Sequence, residues 1–491
     1  MRGEGHPIQP SYRDPLEQPL LAGSNAGHDD PEVFGLDDAG KREQLERRLV
    51  RKLDARMSIL IVIYILNYID RNNAAAARLH GFQGDLELDD KQFANVLSIL
   101  YVGYFIMQVP SNIYLNHSGR PSIYLPSCMV IWGGISMATG LVTNYFGVLC
   151  ARFLLGFVEA AFYPGALFMI SRWYKRSELS QRMALLSCGS LISNAFGALI
   201  ASGILELMDG VMGLNAWRWL FFVEGGLTVL VAIGSIFILP DFPETTTGWL
   251  TPEEKDLAIQ RMVEDSGGHD VRKQSTELLS GLRLALGDPK VWWLTFGLCN
   301  LVVALSFHAY FPTLADTLGF SPTISLLLCA PPWLVATVIV LYITRISDQR
   351  GERCRYIIFS ISIGMAGFAI SMLTMNLFWR YLSLFFMTSS YAAFACMLAW
   401  ASSSASHPPA KRAVALAFMN CISQLGNVVG SYMWPSAWGP SYRKSYFLCI
   451  CASSVVLLFA LFFRRHLSKL NSEEEAKERR TGSEQGYRYM L

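Results

Sequence analysis

Long apolar blocks separated by short polar stretches run along the chain from about residue 57 to residue 464. Each block is close to the roughly 20 residues that a helix needs to cross the hydrocarbon core of a bilayer. We therefore expect an all-α membrane protein with twelve transmembrane helices. These helices are predicted near residues 57–79, 92–115, 122–143, 146–171, 181–205, 217–239, 291–313, 322–344, 356–375, 379–402, 411–434 and 446–464.

A longer polar stretch, residues 240–290, divides these blocks into six and six. This arrangement is typical of transporters built from two parallel halves, with the substrate site between them near the middle of the membrane. Within the stretch, Thr251-Pro252-Glu253-Glu254 is typical of a helix start. The predicted order is an N-terminal tail that is largely disordered (1–56), a first half (57–239), a central cytoplasmic loop (240–290), a second half (291–464) and a C-terminal tail (465–491).

Lysine and arginine are concentrated in alternate loops, which sets the expected orientation in the membrane. Both termini are predicted to be cytoplasmic. Residues 1–56 contain no apolar stretch like that of a cleavable signal, so the first helix is expected to direct insertion. The loops rich in basic residues lie at 47–56, 172–182, 255–290, 345–355, 411–412 and 464–465.

The composition favours a membrane protein over other classes. Of the 491 residues, 52% are apolar and 16% are charged, whereas soluble domains usually carry about 25% charged residues. The net charge is +2, so nothing predicts a nucleic-acid partner. The ten cysteines show no metal-ligand or disulfide spacing, and the sequence contains no phosphate-binding loop. We expect no cofactor, no metal site and no enzymatic activity, and we expect transport to be driven by an ion gradient.

Two adjacent ionisable residues, Asp70 and Arg71, lie inside the first apolar block. A charged residue at the centre of a membrane helix costs roughly 2.5–3.5 kcal/mol on insertion scales, so such residues usually mark a pathway or a partner. Neighbouring positions on a helix point in different directions, which makes a mutual salt bridge poor geometry. Each residue is therefore expected to find its own partner. An ion pair that only fixes two helices together is the alternative.

A second pair of ionisable residues, Arg152 and Glu159, lies in the fourth block. Seven residues make two helical turns, so the two side chains share a face, about 10 Å apart along the axis. Burial in a low dielectric disfavours the charged form of a carboxylic acid, so Glu159 is a plausible proton carrier. Glu224 in the sixth block is expected to contact Arg218 near the end of that helix.

Several motifs carry a resemblance to a known family. They include Asp70-Arg71-x-Asn73 in the first helix, Arg152-Phe-Leu-Leu-Gly156-x-x-Glu159 in the fourth, and Trp217-Arg218-Trp219 at the start of the sixth. Residues 57–464 resemble the anion:cation symporter family of the major facilitator superfamily. The stretch from Gly119 to Pro126 is similar to the fungal allantoate and nicotinate permease branch.

The resemblance implies the major facilitator fold and proton-coupled uptake of a small organic anion by alternating access, most naturally across the plasma membrane. It assigns proton coupling to Asp70 and Glu159, binding of the substrate carboxylate to Arg71, and charge balance to Arg152. An arginine suits a carboxylate because its planar fork donates two parallel charge-assisted hydrogen bonds. The expected partners are the anion, protons and the lipid bilayer, and we expect a monomer.

Further site residues are weaker candidates, and for each of them packing alone is the alternative. Tyr68, Tyr104, Trp400 and Asn420 are predicted to line the substrate site, since aromatic and amide groups suit an aromatic carboxylate. Relatives carry asparagines after the tryptophan of helix 10, but here Trp400 is followed by alanine and serines. The loop after helix 8 contains Asp348 and Arg353, which are candidates for charge contacts of a gate; a solvated loop is equally compatible with the sequence.

Two other functions remain open from the sequence. The chain could export an acidic metabolite from a biosynthetic pathway, although helix 5 lacks the Gly-Pro signature of many drug–proton antiporters. It could also be a nutrient sensor that binds without transporting, although neither tail contains a recognisable domain. The sequence leaves the substrate and the direction of transport undetermined.

Overall fold

The computed structural model describes residues 35–266, 283–404, 409–481 and 488–490, and the fold is built from α-helices. The chain divides into two compact units, residues 1–48 and residues 49–491, and every site below lies in the second unit. The long helices are α1 (Gly35–Arg78), α2 (Asp90–Ser118), α3 (Pro121–Thr139), α4 (Tyr145–Glu159 and Phe162–Trp173), α5 (Arg176–Leu207), α6 (Ala216–Ile238), α7 (Pro289–Ala304, the 3-10 turn Leu305–Tyr310 and Phe311–Asp316), α8 (Pro322–Arg350), α9 (Cys354–Leu373), α10 (Leu377–Ser389 and Tyr391–Ser404), α11 (Pro409–Ser423 and Leu425–Ser431) and α12 (Arg443–Thr481).

Eleven helices of the described residues, α2 to α12, are long and apolar enough to cross a membrane. The predicted all-α membrane fold is therefore confirmed. The first predicted span also lies within a helix, α1, but α1 is not among the eleven. Asn67, Asp70 and the residues that follow lower its hydropathy, and they are buried inside the bundle.

Local sequence signals explain where several helices begin. Asp89 starts α2 with a capping box: its carboxylate accepts a hydrogen bond from the Gln92 backbone N–H at 2.6 Å, and the Gln92 side chain accepts one from the Asp89 N–H at 3.0 Å. Proline occupies the first turn of α3, α7 and α8, where a missing N–H costs no intrahelical bond. These signals determine the residues at which α2, α3, α7 and α8 begin.

Two helices are interrupted next to candidate functional residues. In α4 the regular helix ends at Glu159 and resumes at Phe162, and in α7 the 3-10 turn Leu305–Tyr310 precedes Pro312. Pro164 and Pro312 have no N–H to donate to the carbonyls four residues earlier, so the helix loosens there. Irregular backbone at membrane depth is tolerated where it is buried in protein or lines a cavity.

Glycines bring neighbouring helices into direct backbone contact. A Cβ at Gly156 of α4 would lie 2.0 Å from the Leu100 carbonyl oxygen of α2, and a Cβ at Gly225 of α6 would lie 2.7 Å from the Gly133 carbonyl oxygen of α3. Small residues permit such close helix packing in membranes. The α2–α4 and α3–α6 contacts surround the ionisable residues of α1.

The segments predicted as the two halves meet at the end of the bundle that is predicted to face outside. The Tyr432 hydroxyl donates to the Asn95 side chain at 2.6 Å, and the Ser436 backbone N–H donates to Asp90 at 2.8 Å. On another side, the Ser202 hydroxyl donates to the Thr323 carbonyl at 3.1 Å. These hydrogen bonds join the two predicted halves at this end of the bundle.

The central loop contains the predicted helix, which spans Pro252–Ser266. Thr251 and Glu254 form its capping box, and Lys52 donates to the Glu254 carboxylate at 2.7 Å. The disorder predicted for residues 1–56 falls partly on residues 1–34, which lie outside the described residues. Residues 35–56 belong to helix α1, and Leu49 and Leu53 continue its buried face.

Candidate functional site

Arg71 of α1 and Glu159 of α4 form a buried ion pair at the centre of the site. The Arg71 Nε and Nη2 atoms both donate to Glu159 Oε2, at 3.1 and 2.9 Å. The side chains are 7% and 0% exposed. Glu159 Oε1 accepts no hydrogen bond from any described residue. Arg71 thus binds Glu159 through one carboxylate oxygen only. The other oxygen, Oε1, remains available to accept a hydrogen bond.

Three tyrosines surround the Arg71 guanidinium. The Arg71 Cζ atom lies 4.9 Å from the ring centroid of Tyr68, 5.0 Å from that of Tyr104 and 5.9 Å from that of Tyr101. Aromatic faces attract a cation at these distances. The structure therefore brings the predicted residues Tyr68 and Tyr104 together with Arg71, and Tyr101 joins them. Their contact with a substrate stays a prediction.

Asp70 faces away from Arg71 and finds partners on two other helices. The Ser136 hydroxyl of α3 donates to Asp70 Oδ1 at 2.9 Å, and the Thr228 hydroxyl of α6 donates to Oδ2 at 2.8 Å. The residue is fully buried. Adjacent positions on a helix cannot share a face, so Asp70 and Arg71 serve different sides of the bundle.

Arg152 lies beneath the backbone of α1. Its Nη1 atom donates to the carbonyl oxygens of Arg71 at 3.0 Å and of Asp70 at 3.5 Å. Its Nε and Nη2 atoms have no hydrogen-bond partner among the described residues. The guanidinium also lies 5.6 Å from the ring of Phe221 on α6. A positive charge with free donors is thus held close to both predicted proton-coupling residues.

Two small cavities adjoin this group. The first, about 40 Å³, is lined by Asn72, Asn73, Asn194, His308 and Trp333, among others. The second, about 20 Å³, is lined by Arg71, Asn72, Tyr101 and Arg152, among others. Asn72 borders both and donates to Asn194 at 2.8 Å. Such volumes hold a few waters at most, so the site must widen to admit an organic anion.

Trp400 and Asn420 are not brought to Arg71, and neither lines the two cavities. The Trp400 indole donates to the Met490 carbonyl at 2.9 Å, and its ring packs against Phe463 with centroids 4.9 Å apart. Neither contact involves a cavity-lining residue, and the predicted role of both residues in substrate binding stays a prediction. The sequence placed them on the right helices, but the direction of a side chain depends on how each helix is rotated in the bundle.

Asp348 and Arg353 form an ion pair, and the Arg353 Nη1 atom also donates to the Ser347 hydroxyl at 3.2 Å. The pair lies at the end of α8 and in the turn that follows it. Because both partners belong to one turn, the contact shapes that turn, and a role in gating stays a prediction.

The expected contact between Glu224 and Arg218 is wrong. The Arg218 Nη1 atom donates to the carbonyls of Gly140 and Val142, at 2.8 and 3.0 Å. Six residues correspond to one and two-thirds turns, so Glu224 and Arg218 point to different sides of α6. Sequence reasoning also missed Ser136, Thr228 and Asn194, whose signal is a polar side chain within an apolar helix. Within the described ranges no group of His, Cys, Asp and Glu residues could hold a metal ion.

Comparison with known proteins identifies the family. Residues 60–431 match the family model described as Major Facilitator Superfamily. The MFS-type transporter cnsO of Penicillium expansum is 32% identical over 81% of this chain and 78% of that protein. A protein of Agrobacterium vitis provisionally named a tartrate transporter is 28% identical over 81% of this chain and 86% of that protein.

The fold has solved counterparts as well. A bacterial homologue of the human lysosomal transporter Spinster, in an inward-facing and occupied conformation, superimposes with a TM-score of 0.67 over 84% of this chain and 97% of that chain, at 15% identity. The twelve-helix resemblance noted in the sequence is thus confirmed at the level of the superfamily and its fold. The chain belongs to the major facilitator superfamily and is a multi-pass membrane transporter.

Proposed function

We propose that this transporter couples the import of a small organic anion to protons, as the resemblance to the anion:cation symporter family implies. The observation that carries the proposal is the buried Arg71–Glu159 pair beside the two cavities. A substrate carboxylate and Glu159 compete for the same guanidinium. Binding of an anion and protonation of Glu159 are therefore coupled.

The first step is exchange of partners at Arg71. The substrate carboxylate enters the tyrosine-lined site and accepts the N–H donors that Glu159 Oε2 occupies in the empty protein. An ionised Glu159 left without a donor in this environment would be costly, so it takes up a proton. The anion brings one negative charge and the proton one positive charge, so the total charge of the closed site does not change.

The second step is release on the cytoplasmic side. When Glu159 loses its proton to the cytoplasm, it regains Arg71 and displaces the anion. Asp70 is the second coupling residue in this proposal, because its hydroxyl bonds join α1 to α3 and α6, and protonation would alter those contacts. Arg152 balances the charge of Asp70.

The lining of the site supports the proposed substrate class. One arginine between tyrosine rings suits a carboxylate attached to a small flat or polar body, such as a nicotinate-like, vitamin-like or ureide acid. The provisional name of the Agrobacterium vitis relative, a tartrate transporter, supports a small carboxylate. We place the protein in the plasma membrane with cytoplasmic termini, two six-helix halves at 57–239 and 291–464, and a monomeric state.

Uptake in cells expressing the full chain tests the proposal. Radiolabelled nicotinate, tartrate and a small panel of other carboxylates are offered at acidic and neutral pH, with and without a protonophore. We expect one or more of these anions to accumulate faster in acid and the accumulation to collapse with the protonophore. Absence of uptake combined with faster loss from preloaded cells would overturn import and favour export.

A further inference from the structure

Glu224 of α6 is a buried acid that the proposed mechanism does not use. Glu224 is 2% exposed, and neither of its carboxyl oxygens has a hydrogen-bond partner in the described part of the chain. An ionised carboxylate without donors in the interior of a membrane bundle is very costly, whereas a protonated one is a small neutral group. The side chain is therefore suited to hold a proton.

The charged neighbours of Glu224 come from α1 and α4. Thr228, one turn from Glu224 along α6, donates to Asp70 of α1, so the two carboxyl groups lie near each other and repel when both are ionised. Arg152 of α4 reaches α6 at Phe221. On the other packed helices, α3 contains no charged residue, and α5 contains none between Arg182 and Glu206, with Cys188 its one titratable group there.

The buried charge cluster, defined as Asp70, Arg71, Arg152, Glu159 and Glu224, contains three carboxyl groups and two guanidinium groups. Arg71 is paired with Glu159. Arg152 donates to the backbone carbonyl of Asp70, and we count its charge against the Asp70 carboxylate. Glu224 is the carboxyl group without a hydrogen-bond donor among the described residues. If it were ionised, the cluster would carry a net negative charge in the place where an anion must bind.

We infer that Glu224 is a proton-binding site that stays protonated through the transport cycle and keeps the buried charge cluster neutral. The proton exchanged with the substrate is then the one on Glu159, and loss of the Glu224 proton in alkaline solution switches the anion site off. This inference rests on the proposed proton-coupled transport. It also names the group that sets the alkaline limit of that transport.

Asn73 supplies the route by which this proton equilibrates with water. Its side chain lines the first cavity, and its Nδ2 atom has no hydrogen-bond partner among the described residues. The Asn73 side chain also interacts with the Glu224 carboxyl group. Glu224 therefore lies behind one side chain of the cavity wall, and its proton can reach the cavity past Asn73.

Infrared difference spectroscopy of the full chain in lipid vesicles detects whether the Glu224 carboxyl group is protonated. The wild type should show the carbonyl stretch of a protonated carboxyl group at neutral pH and lose it at strongly alkaline pH. Glu224→Gln should lack that absorption at neutral pH. Glu253→Gln, which alters an exposed acid of the central loop, should retain it in full. Retention of the whole wild-type absorption in Glu224→Gln would overturn the inference.

The pH profile of uptake separates a proton-holding role from a packing role. The measured quantity is the ratio of nicotinate uptake at alkaline pH to uptake at acidic pH within each variant. Glu224→Gln should raise this ratio above that of the wild type, because the amide cannot ionise. Glu224→Asp keeps a titratable group and should not raise it. An unchanged ratio in Glu224→Gln contradicts the inference.

The two proposals fail separately. Uptake that ignores the protonophore in the wild type would overturn proton coupling, while the infrared absorption would still show whether Glu224 holds a proton. Conversely, coupled uptake with an unaltered Glu224→Gln spectrum would overturn only the role of Glu224.

Discussion

Buried charge is distributed unequally between the first half, residues 57–239, and the second half, residues 291–464. The first half contains the buried charge cluster of α1, α4 and α6. In the described residues of the second half, the buried charged side chains are Arg353 and Arg380, and both lie near helix ends. Arg353 pairs with Asp348, and Arg380 donates to the Pro440 carbonyl at 3.2 Å.

The second half instead contributes aromatic rings and the 3-10 turn of α7 to the lining of the first cavity. His308, Phe311 and Trp333 line it, and His308 lies in the 3-10 turn of α7. In the proposed function this difference becomes a division of roles. The first half would exchange protons and bind the negative charge, and the second half would surround the body of the substrate.

The largest effect is expected at Arg71. Arg71→Lys removes the planar fork that can hold a carboxylate with two bonds. Since hydrogen bonds to charged groups contribute about 1.5–3 kcal/mol, binding of a transported anion should weaken about tenfold or more. Arg345→Lys, an exposed residue on α8, is the matched control. Unchanged affinity in Arg71→Lys, measured by binding to purified protein, would remove Arg71 from the site.

Glu159→Gln should separate exchange from accumulation. The amide mimics the protonated acid, so Arg71 stays available to the anion but no proton can be exchanged. We expect exchange of labelled for unlabelled anion to continue while accumulation against a gradient is lost. Loss of exchange in a folded variant would argue that Glu159 serves structure and not coupling.

Substitutions at two adjacent glycines of α6 test how tightly α6 packs against α3 beside the buried charge cluster. A Cβ at Gly225 would lie 2.7 Å from the Gly133 carbonyl oxygen, whereas a Cβ at Gly226 meets nothing within 4 Å. Overpacking typically costs about 1–3 kcal/mol, so Gly225→Ala should lower the thermal unfolding temperature of the purified protein. Gly226→Ala is the matched control. Equal unfolding temperatures would show that the α3–α6 contact can relax.

His308→Gln tests the proposed role of the second half, which is to contact the substrate without taking part in proton exchange. His308 lines the first cavity and lies outside the buried charge cluster. The change should alter the affinity for individual carboxylates by up to about tenfold, the range of a single neutral hydrogen bond of about 0.5–1.5 kcal/mol. Dependence of uptake on the proton gradient should persist. If uptake became independent of the gradient, the division between the two halves would fail.

The smallest effect is expected at the cytoplasmic edge of the second half. Lys411 donates to Asp288 at 2.6 Å just before the membrane-spanning part of α11. Although burial opposes ionisation, this bond lowers the pKa of Asp288 below its ordinary value. The ionised carboxylate therefore stabilises the fold above an ordinary aspartate pKa of about 3.9, and this stabilisation is lost as the pH falls through the folded-state pKa.

Asp288→Asn should accordingly lower the unfolding temperature slightly at neutral pH, with a difference that shrinks in acid. Thermal unfolding at both pH values checks this expectation. A difference that grows in acid would contradict the ion-pair explanation.

The sequence predicted much of the fold because membrane helices carry strong local signals of length and apolarity. It also singled out Asp70, Arg71, Arg152 and Glu159, since charges are rare inside such helices. It could not predict that Arg71 would pair with Glu159, because 88 residues separate them and the pairing depends on how α1 and α4 are rotated.

The same limit applies to residues whose side-chain direction the sequence leaves open. Trp400 lies on the predicted helix, and its indole turns toward Phe463 of α12 and the Met490 carbonyl. Glu224 was given a partner on its own helix, although spacing alone places Arg218 on another side. In both cases the local pattern identifies a polar or aromatic group, and the tertiary packing decides what it faces.

Proton uptake on anion binding is the most direct test of the exchange at Arg71. Purified protein in weakly buffered solution with a pH indicator is mixed with a transported carboxylate, and the protons taken up are counted against the anion bound. We expect one proton to be taken up for each anion bound in the wild type and none in Glu159→Gln. Anion binding without proton uptake in the wild type, or equal uptake in the two proteins, would contradict it.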